Sequence, residues 1–394
     1  MKYIMLIADG MADHSLPQLG GKTPLQTAHT PNMDRLAKEG FSGLLQTLKP
    51  DLPVGSDVAI LSLLGYPPEK CYTGRGPLEA ASQGILLKGH EVAFRVNLVT
   101  VEEGKMKDYS AGHISSREAR ILINALNEKL GNNNIRFYPG VSYRNLLILR
   151  HLNGGKGRLP HTTPPHDIIG EPINKHQPRG SGANLLKKLM KHSHEILSSH
   201  PLNKKRVKKG LPPANMIWIW GGGFKPKLET LEKKYGVKGG VISAVDVING
   251  LGRLLNMKII KVRGATGDIH TNWKGKAKAL IKALRNLDFG LLHVEAPDEA
   301  SHMGDPNLKI KAIELFDREI VGRIADKFPE ARIFVGCDHV TSTLLRTHTH
   351  DPVPFLLWGV KKKNSLSTFS EVSARFSGVF LKNGEELMKI FLGR

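Results

Sequence analysis

Cysteine is scarce in this sequence. Its 394 residues include two cysteines, Cys71 and Cys337, which lie far apart and form no CxxC pair. This scarcity excludes a disulfide framework and a structural zinc site built from thiolates. Such a chain suits a reducing compartment, so we expect a cytoplasmic protein.

Long apolar runs are missing as well. No stretch of about 18 uncharged apolar residues occurs, although a membrane-spanning helix would require one. The chain opens with MKYIMLIADG, whose short apolar run stops at Asp9-Gly10, too soon for the apolar segment of a signal peptide. We therefore expect a protein that is neither exported nor bound to a membrane.

Negative charge is in deficit. There are 36 Asp and Glu against 57 Lys and Arg, so the formal net charge is +21. Such a field could hold nucleic acid or concentrate a small anionic substrate. Part of the excess lies in residues 187–210, but no zinc-finger, homeodomain or RNP-type pattern surrounds that stretch. We expect a solvated basic surface there, and nucleic acid is an unlikely partner.

The order of apolar segments predicts the domain organisation. The length favours two domains, or one enlarged by an insertion. Strand and helix patterns alternate at the start of the chain and again after residue 235, which is typical of an α/β fold. Residues 1–75 and 236–394 are thus expected to form one domain, and the turn-rich residues 76–235 an inserted second one. Within the returning pattern, GVISAVDVINGLGRLLNMKIIKV reads as a helix followed by a strand.

Two early segments place polar side chains at ends of predicted elements. Residues 2–8 read as a buried strand that delivers Asp9 at its carboxyl end, where ligands bind in open parallel sheets. In PVGSDVAILSLLGYPP, Val58, Leu61 and Leu64 recur at helical spacing. Ser56 is therefore predicted in the first turn of a helix.

Residues able to bind a metal come from four separate segments. They are Asp9; Ser56; Asp298 and His302 in EAPDEASHMGDP; and Asp338, His339 and His348 in CDHVTSTLLRTHTHDP. Carboxylate oxygen combined with imidazole nitrogen, without thiolate, suits Mn²⁺, Zn²⁺, Co²⁺ or Mg²⁺. Seven donors are enough for two ions.

Each of these groups has a structural alternative. Asp298 and His302 stand four residues apart, a spacing that surface helices show by chance. The adjacent Asp338 and His339 are a stronger sign, because a buried acid and imidazole would otherwise need partners of their own. Ser56 alone reads as an N-cap. Its functional alternative is a hydroxyl that attacks phosphorus, favoured by a helix N-terminus and a neighbouring cation.

The motifs together resemble the alkaline phosphatase superfamily, and the whole chain is similar to the archaeal type of cofactor-independent phosphoglycerate mutase. The similarity runs nearly the full length, through IADGMAD, GKTPLQTAHTPNMDRLAKEG, PVGSDVAILSLLGYPP, YTGRGPLEAASQGI, FRVNLVTV, DYSAGHIS, GVSYRNLLIL, EAPDEASHMGD, CDHVTS and HTHDPVPF. Several motifs in a fixed order are more specific than any one alone.

This resemblance implies a fold and a set of ligands. The fold is an alkaline-phosphatase-like α/β core, with a mostly parallel sheet flanked by helices and an inserted α/β domain that closes over the substrate. One metal would be held by Asp298, His302 and His348, and the other by Asp9, Asp338, His339 and the oxygen of Ser56. His348 is chosen over His350 because in the family the ligand precedes a short spacer and then Asp-Pro-Val-Pro. Two divalent ions are implied, with Mn²⁺ first and Mg²⁺, Co²⁺ or Zn²⁺ as alternatives, and no 2,3-bisphosphoglycerate.

The same resemblance implies a reaction. The enzyme would interconvert 2-phosphoglycerate and 3-phosphoglycerate, a step of glycolysis and gluconeogenesis, through a phosphoserine at Ser56. The alternative is a related metal-dependent phosphatase or phosphoryl transferase acting on a small hydroxy acid, and exclusion of water decides between them. Basic groups must hold the substrate, and bidentate arginine suits a carboxylate. The candidates, each of which could equally be surface charge or an ordinary salt bridge, are Arg75, Arg95, Lys107, Asp108, His113 and Arg144.

Overall fold

The computed structural model describes residues 1–152 and 157–393, which divide into two compact units. The core unit comprises Met1–Tyr72 and Leu228–Arg394, and the inserted unit comprises Thr73–Lys227. The sequence placed these divisions slightly later, after residues 75 and 235. The second division differs because Leu231 and Tyr235 are tied to the core unit. Leu231 N donates to the Leu255 carbonyl at 3.0 Å, and the Tyr235 hydroxyl donates to the Leu64 carbonyl at 3.1 Å.

The helices and strands fall into three stretches of chain. The first stretch of the core unit contains β1 (Tyr3–Ala8), α1 (Pro24–Thr27), α2 (Pro31–Glu39), β2 (Phe41–Leu45), α3 (Ser56–Leu63) and α4 (Pro68–Cys71). The inserted unit contains α5 (Arg75–Ser82), β3 (Glu91–Glu102), β4 (Lys105–Asp108), α6 (Ser116–Leu130), β5 (Ile135–Val141), β6 (Arg144–Arg150), α7 (Ala183–Ser198), α8 (Pro201–Lys208) and β7 (Met216–Phe224). The second stretch of the core unit contains α9 (Leu231–Tyr235), β8 (Gly239–Ile242), α10 (Asp246–Leu254), β9 (Lys258–Ile259), α11 (Trp273–Ala283), β10 (Phe289–Val294), α12 (Ala296–Met303), α13 (Pro306–Phe316), α14 (Arg323–Lys327), β11 (Arg332–Gly336), β12 (Val340–Ser342), β13 (Thr347–Thr349), β14 (Val353–Trp358), α15 (Glu371–Phe376), β15 (Phe380–Leu381) and α16 (Gly384–Leu392).

The core unit is built on an eight-stranded sheet. Its strand order is β15-β2-β14-β11-β1-β10-β8-β9. β14 runs antiparallel to both of its neighbours, and the other five pairs are parallel. β1 lies between β11 and β10, and its residues Ile4–Ala8 are fully buried, as expected for a parallel strand covered on both faces. The predicted α/β fold with a mostly parallel sheet is confirmed.

Three neighbouring strands of this sheet lead directly into the predicted donors. Asp9 follows β1, Asp338 follows β11 by two residues, and α12, which begins two residues after β10, carries Asp298 and His302. His348 lies in β13, which forms a separate hairpin with β12. Because the carboxyl ends of parallel strands meet at one edge of a sheet, these side chains converge there.

One part of the predicted element order is wrong. The stretch from residue 240 was expected to begin with a helix, whereas β8 precedes α10. β8 has only four residues, and Gly239 and Gly240 supply no side chains to show the alternation of a strand. Among the described residues, no helix has the length and apolar character needed to cross a membrane.

The inserted unit has a sheet of its own. β3 pairs with β4, β6 and β7, and β6 pairs with β5, all antiparallel. Apolar residues of β3 and β7 pack with those of α6 and α7 in a buried cluster that includes Phe94, Leu122, Met190 and Trp218. This unit therefore combines helices with an antiparallel sheet, and the parallel strand pairs of the described residues all lie in the core unit.

Candidate active site

Ser56 lies at the start of α3 and faces an acid and an imidazole. Gly55 occupies the N-cap position and Ser56 makes no capping hydrogen bond, so the structure does not use it as an N-cap. Ser56 Oγ lies 3.3 Å from Asp9 Oδ2 and 3.2 Å from His339 Nε2. A helix N-terminus carries a partial positive charge, so this is a position at which negative charge on an oxygen is stabilised.

Asp9, His293 and Asp338 form the first donor group. One ligand atom from each lies within 4.8 Å of the others, and all three side chains are buried. His293 Nε2 is 3.1 Å from Asp9 Oδ2, yet the two atoms lack hydrogen-bond geometry. Ligand atoms that each lie about 2.0–2.2 Å from a divalent ion are themselves roughly 3.0–3.5 Å apart. The spacing of this pair is therefore that of neighbouring ligands.

Asp298, His302 and His348 form the second donor group. Asp298 and His302 stand one turn apart on α12, with Oδ2 and Nε2 3.3 Å apart. His348 Nε2 is 3.2 Å from Asp298 Oδ1 and 3.0 Å from His302 Nε2. Two imidazole nitrogens and a carboxylate thus point at one another from two separate parts of the chain.

His339 lies beside both groups. Its Nε2 is 3.4 Å from Asp9 Oδ1 and 3.4 Å from Asp338 Oδ2, and its ring lies 4.0 Å from that of His348. One ligand atom of His339 also lies within 4.8 Å of its counterparts on Asp298 and His348. The seven residues proposed from the sequence are therefore all brought together, and His339 occupies the position between the two groups.

His293 is a member of this site that sequence reasoning missed. It lies near the end of β10 among apolar residues, opposite Ile7 of β1, and is fully buried. The available signal was a single imidazole inside the run FGLLHV, since a buried histidine needs polar partners. Both of its immediate neighbours, Leu292 and Val294, are apolar, so its position reads as part of the core.

The electrostatics of the site reflect crowded carboxylates. Burial, together with the negative charges of Asp338 and Asp298, holds the pKa of Asp9 well above its usual range. Burial also raises the pKa of Asp298, but hydrogen bonds with His302 and His348 outweigh it and bring that pKa well below the usual value. The hydrogen bond with Asp298 raises the pKa of His302 to about 9, although burial lowers it. The site concentrates negative charge that only protons or cations can balance.

The residues fit a pair of divalent cations. Within the described part of the chain, Asp9 Oδ1, His293 Nε2 and Asp338 Oδ2 are buried atoms that have no hydrogen-bond partner, and all three belong to the first donor group. Buried polar atoms without partners are costly, and an ion would satisfy them. Three imidazoles are also held through their other nitrogen, as metal ligands usually are. The distances to those partners are His293 Nδ1 to Ser243 Oγ 3.2 Å, His302 Nδ1 to the Arg346 carbonyl 2.9 Å, and His339 Nδ1 to Thr341 Oγ1 3.1 Å.

Three of the predicted substrate-binding residues meet in the inserted unit. Arg75 Nε donates to Glu79 Oε1 at 3.0 Å, and the buried Arg95 donates to the same oxygen at 2.8 Å. Arg144 lies on the same face of the sheet as Arg95, because Arg95 pairs with Leu146, two residues along β6. Burial opposes ionisation of Glu79, but the charges of Arg95, Arg75 and Arg144 lower its pKa. Two guanidinium groups thus bind one carboxylate, and Arg144 adds a third positive charge near it.

Aromatic side chains line this arginine cluster. The Arg95 guanidinium lies 4.8 Å from the ring centre of Trp220, which contacts the His166 ring at 5.6 Å. His166 in turn lies 6.1 Å from Tyr109, and Tyr109 lies 5.6 Å from Tyr143. Sequence spacing does not predict these neighbours, since they come from loops and strands far apart along the chain.

The other three substrate candidates have separate surroundings. Lys107 is largely exposed and lies 3.5 Å from Glu102. Asp108 accepts hydrogen bonds from the Ser110 and Gly112 amides at 2.7 and 2.6 Å, so it closes a turn. His113 follows that turn, with its ring 6.0 Å from Tyr143. Asp108 therefore organises the loop that carries Tyr109 and His113, and Lys107 is the outlying member of the set.

Comparisons with known proteins agree with this picture. Residues 37–203 match the family model described as 2,3-bisphosphoglycerate-independent phosphoglycerate mutase. A probable enzyme of that name from Geobacter sulfurreducens is 48% identical over 403 residues, and the enzyme of that name from Methanosarcina mazei is 46% identical over 398; both matches cover 100% of each chain. A solved structure of a Pyrococcus horikoshii protein is 31% identical and superposes with a TM-score of 0.83, covering 100% of this chain and 98% of that one. The chain therefore belongs to the family of 2,3-bisphosphoglycerate-independent phosphoglycerate mutases.

Proposed function

We propose that the protein interconverts 2-phosphoglycerate and 3-phosphoglycerate without 2,3-bisphosphoglycerate, by passing the phosphoryl group through Ser56. The observation that carries this proposal is the position of Ser56 Oγ. It lies at a helix N-terminus, 3.3 Å from Asp9 and 3.2 Å from His339, beside two groups of metal-type donors. A nucleophilic oxygen in such surroundings is suited to attack phosphorus.

Two half-reactions follow from one nucleophile. In the first, a bond forms between Ser56 Oγ and phosphorus, and the ester bond of the substrate breaks with its electron pair on the glycerate oxygen. In the second, the other hydroxyl of glycerate attacks the phosphoserine and regenerates Ser56. The Ser56 hydroxyl donates to Asp9 Oδ2, so Asp9 can take up its proton as Oγ attacks, and that proton can then pass to the glycerate oxygen that leaves.

Two divalent ions are part of this proposal. When bound, they would neutralise the negative charge of the phosphoryl group and of the attacking oxygen. Asp298, His302 and His348 would hold one ion, and Asp9, Asp338 and His339 with the Ser56 oxygen would hold the other. His293 supports the set that contains Asp9, because its buried Nε2 faces that carboxylate. Mn²⁺ is the ion we favour, since oxygen and nitrogen donors of this kind suit it, with Mg²⁺, Co²⁺ and Zn²⁺ as alternatives.

The inserted unit supplies positive charge for an anionic substrate. It carries 25 Lys and Arg against 10 Asp and Glu, and so holds most of the net charge of the chain. Within it, we assign the carboxylate of phosphoglycerate to Arg75, Arg95 and Arg144, because Arg75 and Arg95 meet at the same oxygen of Glu79 and guanidinium groups suit a carboxylate. Asp108 and His113 shape the neighbouring loop, and Lys107 adds to the field.

Location forms a smaller part of the proposal. Cys71 and Cys337 are both free and buried, which supports a reducing, cytoplasmic environment.

An isomerisation assay tests the proposal. The protein should convert 3-phosphoglycerate to 2-phosphoglycerate with no added 2,3-bisphosphoglycerate, lose that activity in EDTA, and regain it when Mn²⁺ is restored. Ser56→Ala should abolish conversion and still bind metal, because only the attacking oxygen is lost. Ser62→Ala, on the same helix, is the matched control and should remain active. Conversion that persists in EDTA or in Ser56→Ala would contradict the proposal, and release of phosphate faster than isomerisation would favour a phosphatase.

A further inference from the structure

The hydroxyl of Thr341 contacts the donors of both metal groups. Thr341 is fully buried in β12, and its Oγ1 donates to Asp298 Oδ1 at 2.6 Å. The same oxygen lies 3.1 Å from His339 Nδ1. Across the β12–β13 hairpin, Thr341 stands directly opposite His348. One side chain that is not itself a typical metal ligand therefore touches or adjoins three of the seven donors.

The single proton of this hydroxyl settles the direction of both bonds. The hydroxyl has one proton, and Thr341 Oγ1 donates it to Asp298 Oδ1. The Thr341 oxygen can then only accept from His339, which places the proton of that ring on Nδ1. His339 Nε2 is left as a free lone pair, directed at Ser56 Oγ 3.2 Å away.

The backbone around Thr341 fixes the position of the hydroxyl. Thr341 N donates to the Ala12 carbonyl at 3.1 Å, and the Thr341 carbonyl accepts from the buried Lys309 Nζ at 2.8 Å. Gly10 leaves room for it, because a Cβ there would lie 2.3 Å from Thr341 Oγ1. Two hydrogen bonds therefore hold the backbone that carries this hydroxyl, and the missing side chain at Gly10 gives the hydroxyl the space it occupies.

From this geometry we propose that Thr341 is a positioning residue that fixes the tautomer of His339 and couples the two donor groups. It touches no substrate in this role and acts through Asp298 and His339. The inference rests on the proposed metal-dependent function of the site. Loss of its hydroxyl should therefore weaken both metal sites together, although Thr341 is a ligand of neither.

Titration of metal-free protein with Mn²⁺ is the first test, and three variants serve it. Thr341→Val removes the hydroxyl at nearly constant shape, Thr341→Ser restores it, and Thr47→Val is the matched control because Thr47 is buried with a hydroxyl that has no hydrogen-bond partner. Loss of such a supporting group typically lowers metal affinity about 10- to 100-fold. We expect that loss at both sites in Thr341→Val, and near wild-type affinity in the other two. A Thr341→Val protein that binds two Mn²⁺ as tightly as wild type would overturn the inference.

The tautomer supplies an independent readout. In metal-free protein labelled with ¹⁵N-histidine, the His339 signals, identified by their absence in His339→Gln, should show a proton on Nδ1. Thr341→Val should show a mixture of tautomers and Thr341→Ser the wild-type pattern. A proton on Nε2 in the wild-type protein would overturn the inference even if Thr341→Val failed to fold. Neither measurement needs turnover, so failure of the proposed reaction and failure of this inference remain distinguishable.

Discussion

Replacing Gly10 by alanine should damage the core unit more than the same change at a comparable glycine. Gly10 follows Asp9 at the end of β1 and has φ +58°. A Cβ at this position would lie 2.3 Å from Thr341 Oγ1 and 2.7 Å from Asp298 Oδ1, far closer than real contacts allow. Gly20 has φ +64° in the same unit, and a Cβ there would meet nothing within 4 Å. Comparing Gly10→Ala with Gly20→Ala therefore separates the cost of backbone strain, which both variants share, from the cost of steric overlap, which only Gly10→Ala has.

The expected magnitudes follow from these two environments. The left-handed conformation costs an L-residue about 1–2 kcal/mol, and a less flexible unfolded chain returns about 0.4–1 kcal/mol. Gly20→Ala should thus lower the free energy of unfolding by about 1 kcal/mol. Gly10→Ala should lose a further 1–3 kcal/mol or so, because overpacking forces Thr341 and Asp298 to move.

Urea unfolding of the metal-free proteins, together with their Mn²⁺ content after loading, provides the assay. Gly10→Ala should show the lower urea midpoint and reduced Mn²⁺ content, whereas Gly20→Ala should keep full content. Equal midpoints with full Mn²⁺ in both variants would refute the account of close packing around Thr341.

Two further outcomes concern the arginine cluster and a buried lysine. Arg95→Gln should raise the KM for 3-phosphoglycerate roughly 10- to 100-fold, since hydrogen bonds to charged groups contribute about 1.5–3 kcal/mol. Arg150→Gln is the control and should leave the KM unchanged, because Arg150 pairs with Glu91. Steady-state kinetics showing equal KM values for the two variants would remove Arg95 from the substrate site. Burial, only partly offset by the charge of Glu295, lowers the pKa of Lys276 from 10.5 to about 8. Between those values the unfolded chain holds a proton on this lysine that the native chain lacks, so Lys276 should contribute a rise of up to about 3 kcal/mol in the free energy of unfolding from about pH 8 to pH 10.5. Unfolding curves measured across this pH range should lose that contribution in Lys276→Met. They should keep it in Lys278→Met, the control, which changes an exposed lysine of α11. The same pH dependence in Lys276→Met as in the wild type would contradict the lowered pKa of Lys276.

Much of the site could be anticipated because its residues stand at element ends. Asp9 follows an apolar run that can only be a buried strand, and Ser56 precedes a helical repeat. Asp298 and His302 share one turn of a helix that begins just past a strand. Parallel strands deliver such ends to one edge, so local patterns were enough to predict that these side chains converge.

The missing pieces depend on tertiary contacts that leave no local pattern. His293 is one polar residue inside β10, and nothing in its neighbours indicates that its ring meets Asp9. The grouping of Arg75, Arg95 and Arg144 depends on the register between β3 and β6 and on the start of α5. Lys107 stood in an equally suggestive motif, yet it pairs with Glu102 on an exposed strand. Sequence spacing cannot distinguish these cases.

Mass spectrometry of the protein after brief incubation with 3-phosphoglycerate and Mn²⁺ tests the central claim most directly. The account predicts one phosphoryl group on the peptide that contains Ser56, absent when 3-phosphoglycerate is omitted. Isomerisation that proceeds while Ser56 is never phosphorylated, or a phosphoryl group found on another side chain, would contradict it.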